Sequence, residues 1–331
     1  MPSFTVYRGS PDGTIVRAQT TRPPLLHDQV FIRVTASGLC GTDEHFKAVD
    51  MALGHQGVGI IEETGPNVKE LKKGDRVGWG YQHACCGHCE PCQTGRETYC
   101  PKRELYGEAS LDQGSFASHA VWREAFVFPL PNALADEEAA PLMCAGATVF
   151  NALYTYGVKS TDCVGVLGMG GLGHLAVQYA AKMGCNVIVF SNSADKRSEA
   201  VQLGATEFIT MEGKTPVSVC CPVDVLLVTT PVPPEWTLLL KALNTNTKIF
   251  PLAVSQDDFR FPQMPLNGNG ITVQGSVIAA RSVLKKMLAF SAQHGIKPTT
   301  MLFPMSKFGI ENAMRTLGDG KMRYCGVLKA R

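Results

Sequence analysis

The chain has 331 residues, 45% hydrophobic and 18% charged, with a formal net charge of +2; that length exceeds one ordinary core and suits two domains. The near-neutral balance gives no electrostatic reason to expect nucleic acid or an anionic membrane as partner, and no apolar run reaches the roughly 18 residues of a membrane span. Met1–Val6 lacks the basic start and apolar stretch of a signal peptide, and the last residues, Leu328–Arg331, match no lipidation or peroxisomal signal, so a cytoplasmic protein is expected.

Over roughly the first 130 residues, short apolar runs alternate with Gly/Pro/Asn turns, as in a mainly β, barrel-like domain. Strands are expected at Val30–Val34, Val58–Ile61 and, after the Gly74-Asp75 turn, Arg76–Trp79. Asp136, Glu137 and Glu138 form an acidic helix start before an apolar segment. From Cys163 onward the rhythm is strand–helix–strand. Buried strands are expected at Val164–Leu167, Val187–Phe190, Glu207–Ile209, Val223–Val228 and Lys248–Phe250, with helices at Leu172–Met183 and Lys196–Leu203. That alternation implies a parallel sheet covered on both faces. A further strand at Ile271–Ser276, a helix at Ser282–His294 and a last strand at Gly326–Leu328 complete the pattern.

Of the 12 cysteines, five fall between positions 85 and 100. Cys86, Cys89, Cys92 and Cys100 have the spacing C-x2-C-x2-C-x7-C. Four thiolates at these offsets can close around one tetrahedral Zn²⁺ as a structural site; an iron–sulfur cluster would also take four thiolates. Gly87 and Gly95 supply the tight turns such a loop needs, and Cys85 reads as a bystander. Cys163, Cys185, Cys220, Cys221 and Cys325 read as small buried hydrophobes. A second set is scattered: Cys40, His55 and Cys144 could give a catalytic zinc three protein ligands and leave one position open. Spacing alone does not bring them together.

Gly168, Gly170 and Gly173 form G-x-G-x-x-G directly after a buried strand and before a helix. The first permits the turn, the second lets a pyrophosphate approach the backbone, and the third lets helix and strand pack closely. Gly171 and Leu172 belong to the same turn. The next strand ends at Ser191, where NAD enzymes place an acid for the ribose hydroxyls. Ser193, Lys196 and Arg197 follow, and Asp195 comes too late to be the usual acid. Hydroxyls and cations there suit the 2′-phosphate of NADP.

The segments GLCGTDEH (38–45), LGHQGVG (53–59), CCGHCEPCQTGRETYC (85–100), PLMCAGATVF (141–150) and GVLGMGGLGH (165–174) occur in this order. Together with the tail at 298–305 and 320–324, they resemble the zinc-dependent medium-chain dehydrogenases/reductases, in particular the cinnamyl-alcohol-dehydrogenase-like branch. The resemblance spans nearly the whole chain. It implies a GroES-like, mainly β catalytic domain over residues 1–143 and 280–331. A doubly wound Rossmann domain over 144–279 would bind NADP, so the fold class is α/β. It implies that Cys40, His55 and Cys144 ligate a catalytic zinc and that Cys86, Cys89, Cys92 and Cys100 hold a structural one, giving two zincs per chain. Thr42 would hydrogen-bond the substrate oxygen, and His45 would end a proton relay to solvent. Thr148 and Ser276 complete the expected cofactor set.

The implied activity is NADP(H)-linked interconversion of a primary alcohol and an aldehyde, aromatic or allylic. Reduction of a C=C or C=N bond on the same fold is the alternative, and a non-catalytic nucleotide-binding protein is a third reading. The resemblance also implies a homodimer through edge strands near 271–273 and 277–278. Two departures stand out: Gln56 replaces the family's Glu after the zinc-binding His, and the stretch Phe46–Leu53 is short. The first should make the zinc a stronger Lewis acid, and the second predicts a remodelled substrate mouth with room for a bulkier substrate. Trp79, Tyr81 and Met51 are candidates for lining it.

Overall fold

The computed structural model describes residues 1–211, 217–232, 234–255 and 257–330. Positions 212–216, 233, 256 and 331, which the expected domain ranges include, lie outside the described residues. The chain divides into two compact units, Met1–Cys144 with Ala279–Arg331, and Ala145–Ile278.

The first unit is built on the strand Gln29–Leu39. Val30, Ile32 and Val34 are buried while Phe31 and Arg33 point the other way, the period-2 pattern of a strand with one face in a core. It pairs antiparallel with Gln56–Thr64 on one side, and with His119–Arg123 and Cys325–Lys329 on the other. Arg76–Trp79, Phe128–Pro129 and Thr300–Pro304 extend the sheet to seven strands among the described residues. A ribbon of Ser3–Arg8 and Val16–Thr21 was not anticipated from the sequence. Neither was the helix Lys307–Gly318, whose N-cap Ser306 accepts the Gly309 N–H.

In the second unit, six parallel strands lie in the order Glu207–Thr210, Asn186–Ser191, Cys163–Leu167, Val223–Val228, Leu243–Pro251 and Thr272–Val273 among the described residues. Cys163–Leu167 is buried along its whole length, as a central parallel strand must be. From this strand the chain winds first to one side and then to the other, so a topological switch point falls between Cys163–Leu167 and Val223–Val228. Ligands of such sheets sit beyond the carboxyl ends of the strands at that point. The expected strand at Ile271–Ser276 is shorter than predicted. Its ladder covers only Thr272–Val273 among the described residues, and the Gly275 carbonyl accepts from the Tyr156 hydroxyl at 3.0 Å. No helix among the described residues is long and apolar enough to cross a membrane.

Candidate active site

Cys40, His55 and Cys144 converge in the first unit, with their ligand atoms all within 4.8 Å of one another. Each reaches the site by a different local device. Cys40 ends the long strand and precedes the short helix Gly41–Phe46, where the Asp43 carboxylate turns back to accept the Cys40 N–H at 3.0 Å. His55 follows Gly54, whose φ of +92° is open to glycine at little cost. Cys144 lies in a π-helical turn, Leu142–Gly146, just after Pro141. Proline has no N–H to give to the preceding turn, and π turns of this kind re-aim side chains at functional sites.

The electrostatics fit a divalent metal. The His55 Nδ1–H faces Asp43 Oδ1 at 3.1 Å, leaving Nε2 turned toward Cys40 Sγ at 3.7 Å. A carboxylate behind the far nitrogen is the usual support of a metal-binding histidine. Without a metal, burial works to lower the His55 pKa, but Asp43 and Cys40 outweigh it and raise the value to about 10. Hydrogen bonding between the two thiols holds Cys40 well below its ordinary pKa and Cys144 well above. One proton is thus shared by a thiol pair that a cation would displace. These residues suit a zinc with three protein ligands.

Thr42 and His45 lie one helical turn apart on Gly41–Phe46, Thr42 half-buried and His45 exposed. Gln56 is buried, and its Nε2 lies 3.4 Å from His55 Nε2. It needs Gly38 opposite, because a Cβ there would fall 2.2 Å from Gln56 Oε1. Of the proposed lining residues, Tyr81 stands edge-on to His55 at 5.5 Å, whereas Trp79 and Met51 are buried in apolar cores. Phe46–Leu53 likewise folds inward: Met51 and Leu53 pack in the core, and Phe46 packs edge-on to Tyr106.

Sequence reading passed over Asp43 and Tyr106. Both are buried, and the Tyr106 hydroxyl donates to Asp43 Oδ1 at 3.1 Å. The signal for Asp43 was its position three residues after Cys40, where an acid can cap the helix start.

The other four cysteines also converge. Sulfur separations of 3.9 Å for Cys86–Cys92, 3.5 Å for Cys89–Cys92 and 3.6 Å for Cys86–Cys100 match the roughly 3.8 Å edge of a tetrahedron with 2.3 Å metal–sulfur bonds. Backbone N–H groups of His88 and Cys89 lower the Cys86 thiol to about 6, toward the thiolate a metal needs. Gly87 and Gly95 turn the loop at φ of +79° and +73°.

In the second unit, Gly168 follows its strand at φ +94°, and its N–H donates to the Phe190 carbonyl at 2.8 Å. The turn runs through Gly170, Gly171 and Leu172 into the helix Gly173–Lys182. Gly173 packs so closely that a Cβ would lie 2.0 Å from the Gly168 oxygen, whereas one at Gly170 would meet nothing within 4 Å. The Thr229 hydroxyl, a buttress not anticipated, donates to the Gly168 carbonyl at 2.8 Å. Lys196 reaches back to the same turn, its Nζ donating to the Met169 carbonyl at 3.0 Å. Ser191 ends its strand with its hydroxyl donating to the Ser193 carbonyl at 3.1 Å, and Ser193 in turn hydrogen-bonds Asp195. Thr148 is buried in the first turn of the helix Ala147–Tyr154. Ser276 accepts from Asn151 of that helix at 3.0 Å, so its described contact is with this helix and not with the glycine turn.

Residues 27–132 match the alcohol dehydrogenase GroES-like domain, and residues 171–293 match the zinc-binding dehydrogenase family. Over 323 residues the chain is 32% identical to an alcohol dehydrogenase from Geobacillus stearothermophilus, covering 94% of this chain and 95% of that one. It is 33% identical to cinnamyl alcohol dehydrogenase 5 of Arabidopsis thaliana over 314 residues, covering 90% and 87%. The chain belongs to the medium-chain alcohol dehydrogenases. Within them it is similar to the cinnamyl-alcohol-dehydrogenase-like branch. The structure of CAD from Helicobacter pylori complexed with NADP(H) matches this dehydrogenase with a TM-score of 0.89 and 28% identity, over 99% of this chain and 97% of that one. The dehydrogenase therefore pairs a GroES-like domain with a Rossmann-type domain, and its activity is the interconversion of small-molecule alcohols and aldehydes.

Proposed function

We propose that this dehydrogenase is a zinc-dependent, NADP(H)-preferring enzyme that interconverts a primary aromatic or allylic alcohol and its aldehyde. The observation that carries the reading is the convergence of Cys40, His55 and Cys144, with Asp43 fixing the ring of His55. Bound there, zinc would supply Lewis acidity, making negative charge on the substrate oxygen tolerable. Thr42 holds that oxygen by a hydrogen bond, and exposed His45, one turn along the same helix, passes the proton to solvent. Cys86, Cys89, Cys92 and Cys100 hold a second zinc that braces their loop.

The glycine turn presents backbone N–H groups to the cofactor pyrophosphate. The preference for NADP rests on Ser191, Ser193 and Lys196: no carboxylate ends the strand, and Lys196 already reaches the glycine turn. The Helicobacter pylori relative was solved with NADP(H). Neutral Gln56 beside His55 favours a second reading, reduction of a C=C or C=N bond. Zinc content per chain, measured alongside NADPH oxidation on aldehydes, unsaturated ketones and iminium ions, separates the two. Two zincs with aldehyde turnover are expected; a single zinc with turnover confined to C=C or C=N substrates would replace the first reading by the second.

A further inference from the structure

Cys163, Cys220 and Cys221 lie outside both candidate metal sites, and the dehydrogenase chemistry uses none of them. Cys163 begins the strand Cys163–Leu167 and is buried; Cys221 comes just before the adjacent parallel strand Val223–Val228. Separated by 58 positions in sequence, their sulfurs stand 2.6 Å apart. A disulfide spans about 2.05 Å, so roughly half an ångström of closure separates the pair from a covalent bridge. The backbone beside them is well held: the Cys163 N–H donates to Asp224 Oδ2 at 2.8 Å, and Asn244 donates to Asp224 Oδ1 at 2.8 Å. Cys221 is half-buried and Cys163 buried, so Cys221 is the more exposed residue of the pair. Cys220 is exposed, but its sulfur is 3.9 Å from that of Cys221, well beyond the distance to Cys163.

We propose that Cys163 and Cys221 form a reversible thiol–disulfide couple, oxidised by a small disulfide of the glutathione type. The Cys221 thiolate attacks one sulfur of the small disulfide, whose S–S bond breaks and whose other half leaves as a thiolate. Cys163 then loses its proton to solvent and attacks the Cys221 sulfur, expelling the second small thiolate. Two protein thiols give up two electrons and two protons, and the small disulfide becomes two thiols. Burial, with the Cys221 sulfur beside it, pushes the Cys163 thiol far above its ordinary pKa in the dithiol state, so Cys163 is not the sulfur that attacks first.

The bridge would tie two neighbouring strands at their amino ends. The glycine turn lies at the carboxyl end of the same strand, so cofactor binding is left alone. Closing a loop of this length constrains the unfolded chain and should raise the thermal midpoint by roughly 5 °C or more.

The test uses the zinc-loaded full chain in a series of reduced and oxidised glutathione buffers, followed by acid quench, alkylation and peptide mapping. The expected result is a linked Cys163–Cys221 peptide, a higher midpoint, retained turnover, and full reversal by dithiothreitol. The Cys163→Ala variant should stop at a glutathione adduct on Cys221. Should that variant fail to fold, the wild-type map decides alone. Full alkylation of Cys163 in the most oxidising buffer would overturn the proposal, as would a Cys220–Cys221 bridge in place of the expected one.

Discussion

Tyr106 donates its phenolic proton to Asp43 at 3.1 Å, and the same carboxylate oxygen faces His55 Nδ1 at 3.1 Å. The second oxygen of Asp43 accepts the Cys40 N–H, and the Tyr106 oxygen accepts the Gly54 N–H at 3.0 Å. One buried carboxylate thus fixes two of the three proposed metal ligands, and one phenol fixes that carboxylate and the glycine preceding His55.

Asp43→Asn should weaken zinc at the Cys40–His55–Cys144 site by about 10- to 100-fold, the usual cost of losing an outer support of a ligand. Tyr106→Phe should do less to the metal, because Asp43 keeps its other two partners, but should lower fold stability by about 1.5–3 kcal/mol for a lost hydrogen bond to a charged group. Chelator competition followed over time resolves the two sites. The four-cysteine site should release metal at an unchanged rate in both variants. Equal weakening of both sites in Asp43→Asn would point to general unfolding instead.

The glycine turn offers a contrast between two alanine substitutions. At Gly173 an added methyl would lie 2.0 Å from the Gly168 carbonyl oxygen and 2.9 Å from the Thr229 hydroxyl, so helix and strand must part. Overpacking of this sort costs about 1–3 kcal/mol, and Gly173→Ala should lower the thermal midpoint and cofactor affinity together. At Gly170 a methyl meets nothing within 4 Å. Gly170→Ala should keep the midpoint and lose cofactor affinity alone, because the methyl takes space the pyrophosphate needs. Calorimetry with and without NADPH measures both. Normal cofactor affinity in Gly170→Ala would remove the second glycine from the site.

Some features were legible in the sequence because a single local property writes them. The central parallel strands around Val164–Leu167 and Val187–Phe190 appear as unbroken apolar runs, and the glycine turn and cysteine loop appear as fixed spacings. Cys40, His55 and Cys144 have no such local signature; only the family resemblance tied them together, and their convergence comes from three backbone devices far apart in the chain. Asp43 was unreadable as a support because its partners Tyr106 and His55 are brought to it by tertiary folding. The helix Lys307–Gly318 carries Ile310, Ala313 and Met314 on one buried face, but Gly309 near its start weakens the helical signal. Val16–Thr21 is largely exposed, so its strand shows no apolar alternation.

Ser191→Asp should move cofactor preference toward NADH. A carboxylate at the end of that strand would repel the 2′-phosphate and accept hydrogen bonds from free ribose hydroxyls. The ratio of kcat/KM for NADPH over NADH should fall at least tenfold, or about 1.4 kcal/mol. Lys196→Ala should lower the same ratio by removing a cation from beside the turn, while KM for the aldehyde stays unchanged. An unchanged ratio in both variants would take these side chains out of cofactor selection.

Acid stability should depend on two buried histidines. His83 packs edge-on against Trp122 at 4.6 Å, and among the described residues neither of its ring nitrogens has a hydrogen-bond partner. Burial lowers its pKa to about 3 and that of His174 to about 4. Both are therefore neutral in the folded chain, while the unfolded chain takes up protons near the ordinary value of 6.5. Their contribution to stability is complete above that pH and declines as pH falls from 6.5 toward 4, by about 1.4 kcal/mol per pH unit for each histidine. His83→Phe keeps a ring of similar size without a site that must stay unprotonated. Its unfolding free energy, measured by denaturant titration from pH 7 to 4.5, should fall about half as steeply as wild type if these two groups dominate. Parallel slopes for the two proteins would mean that His83 is already protonated, or solvated, in the fold.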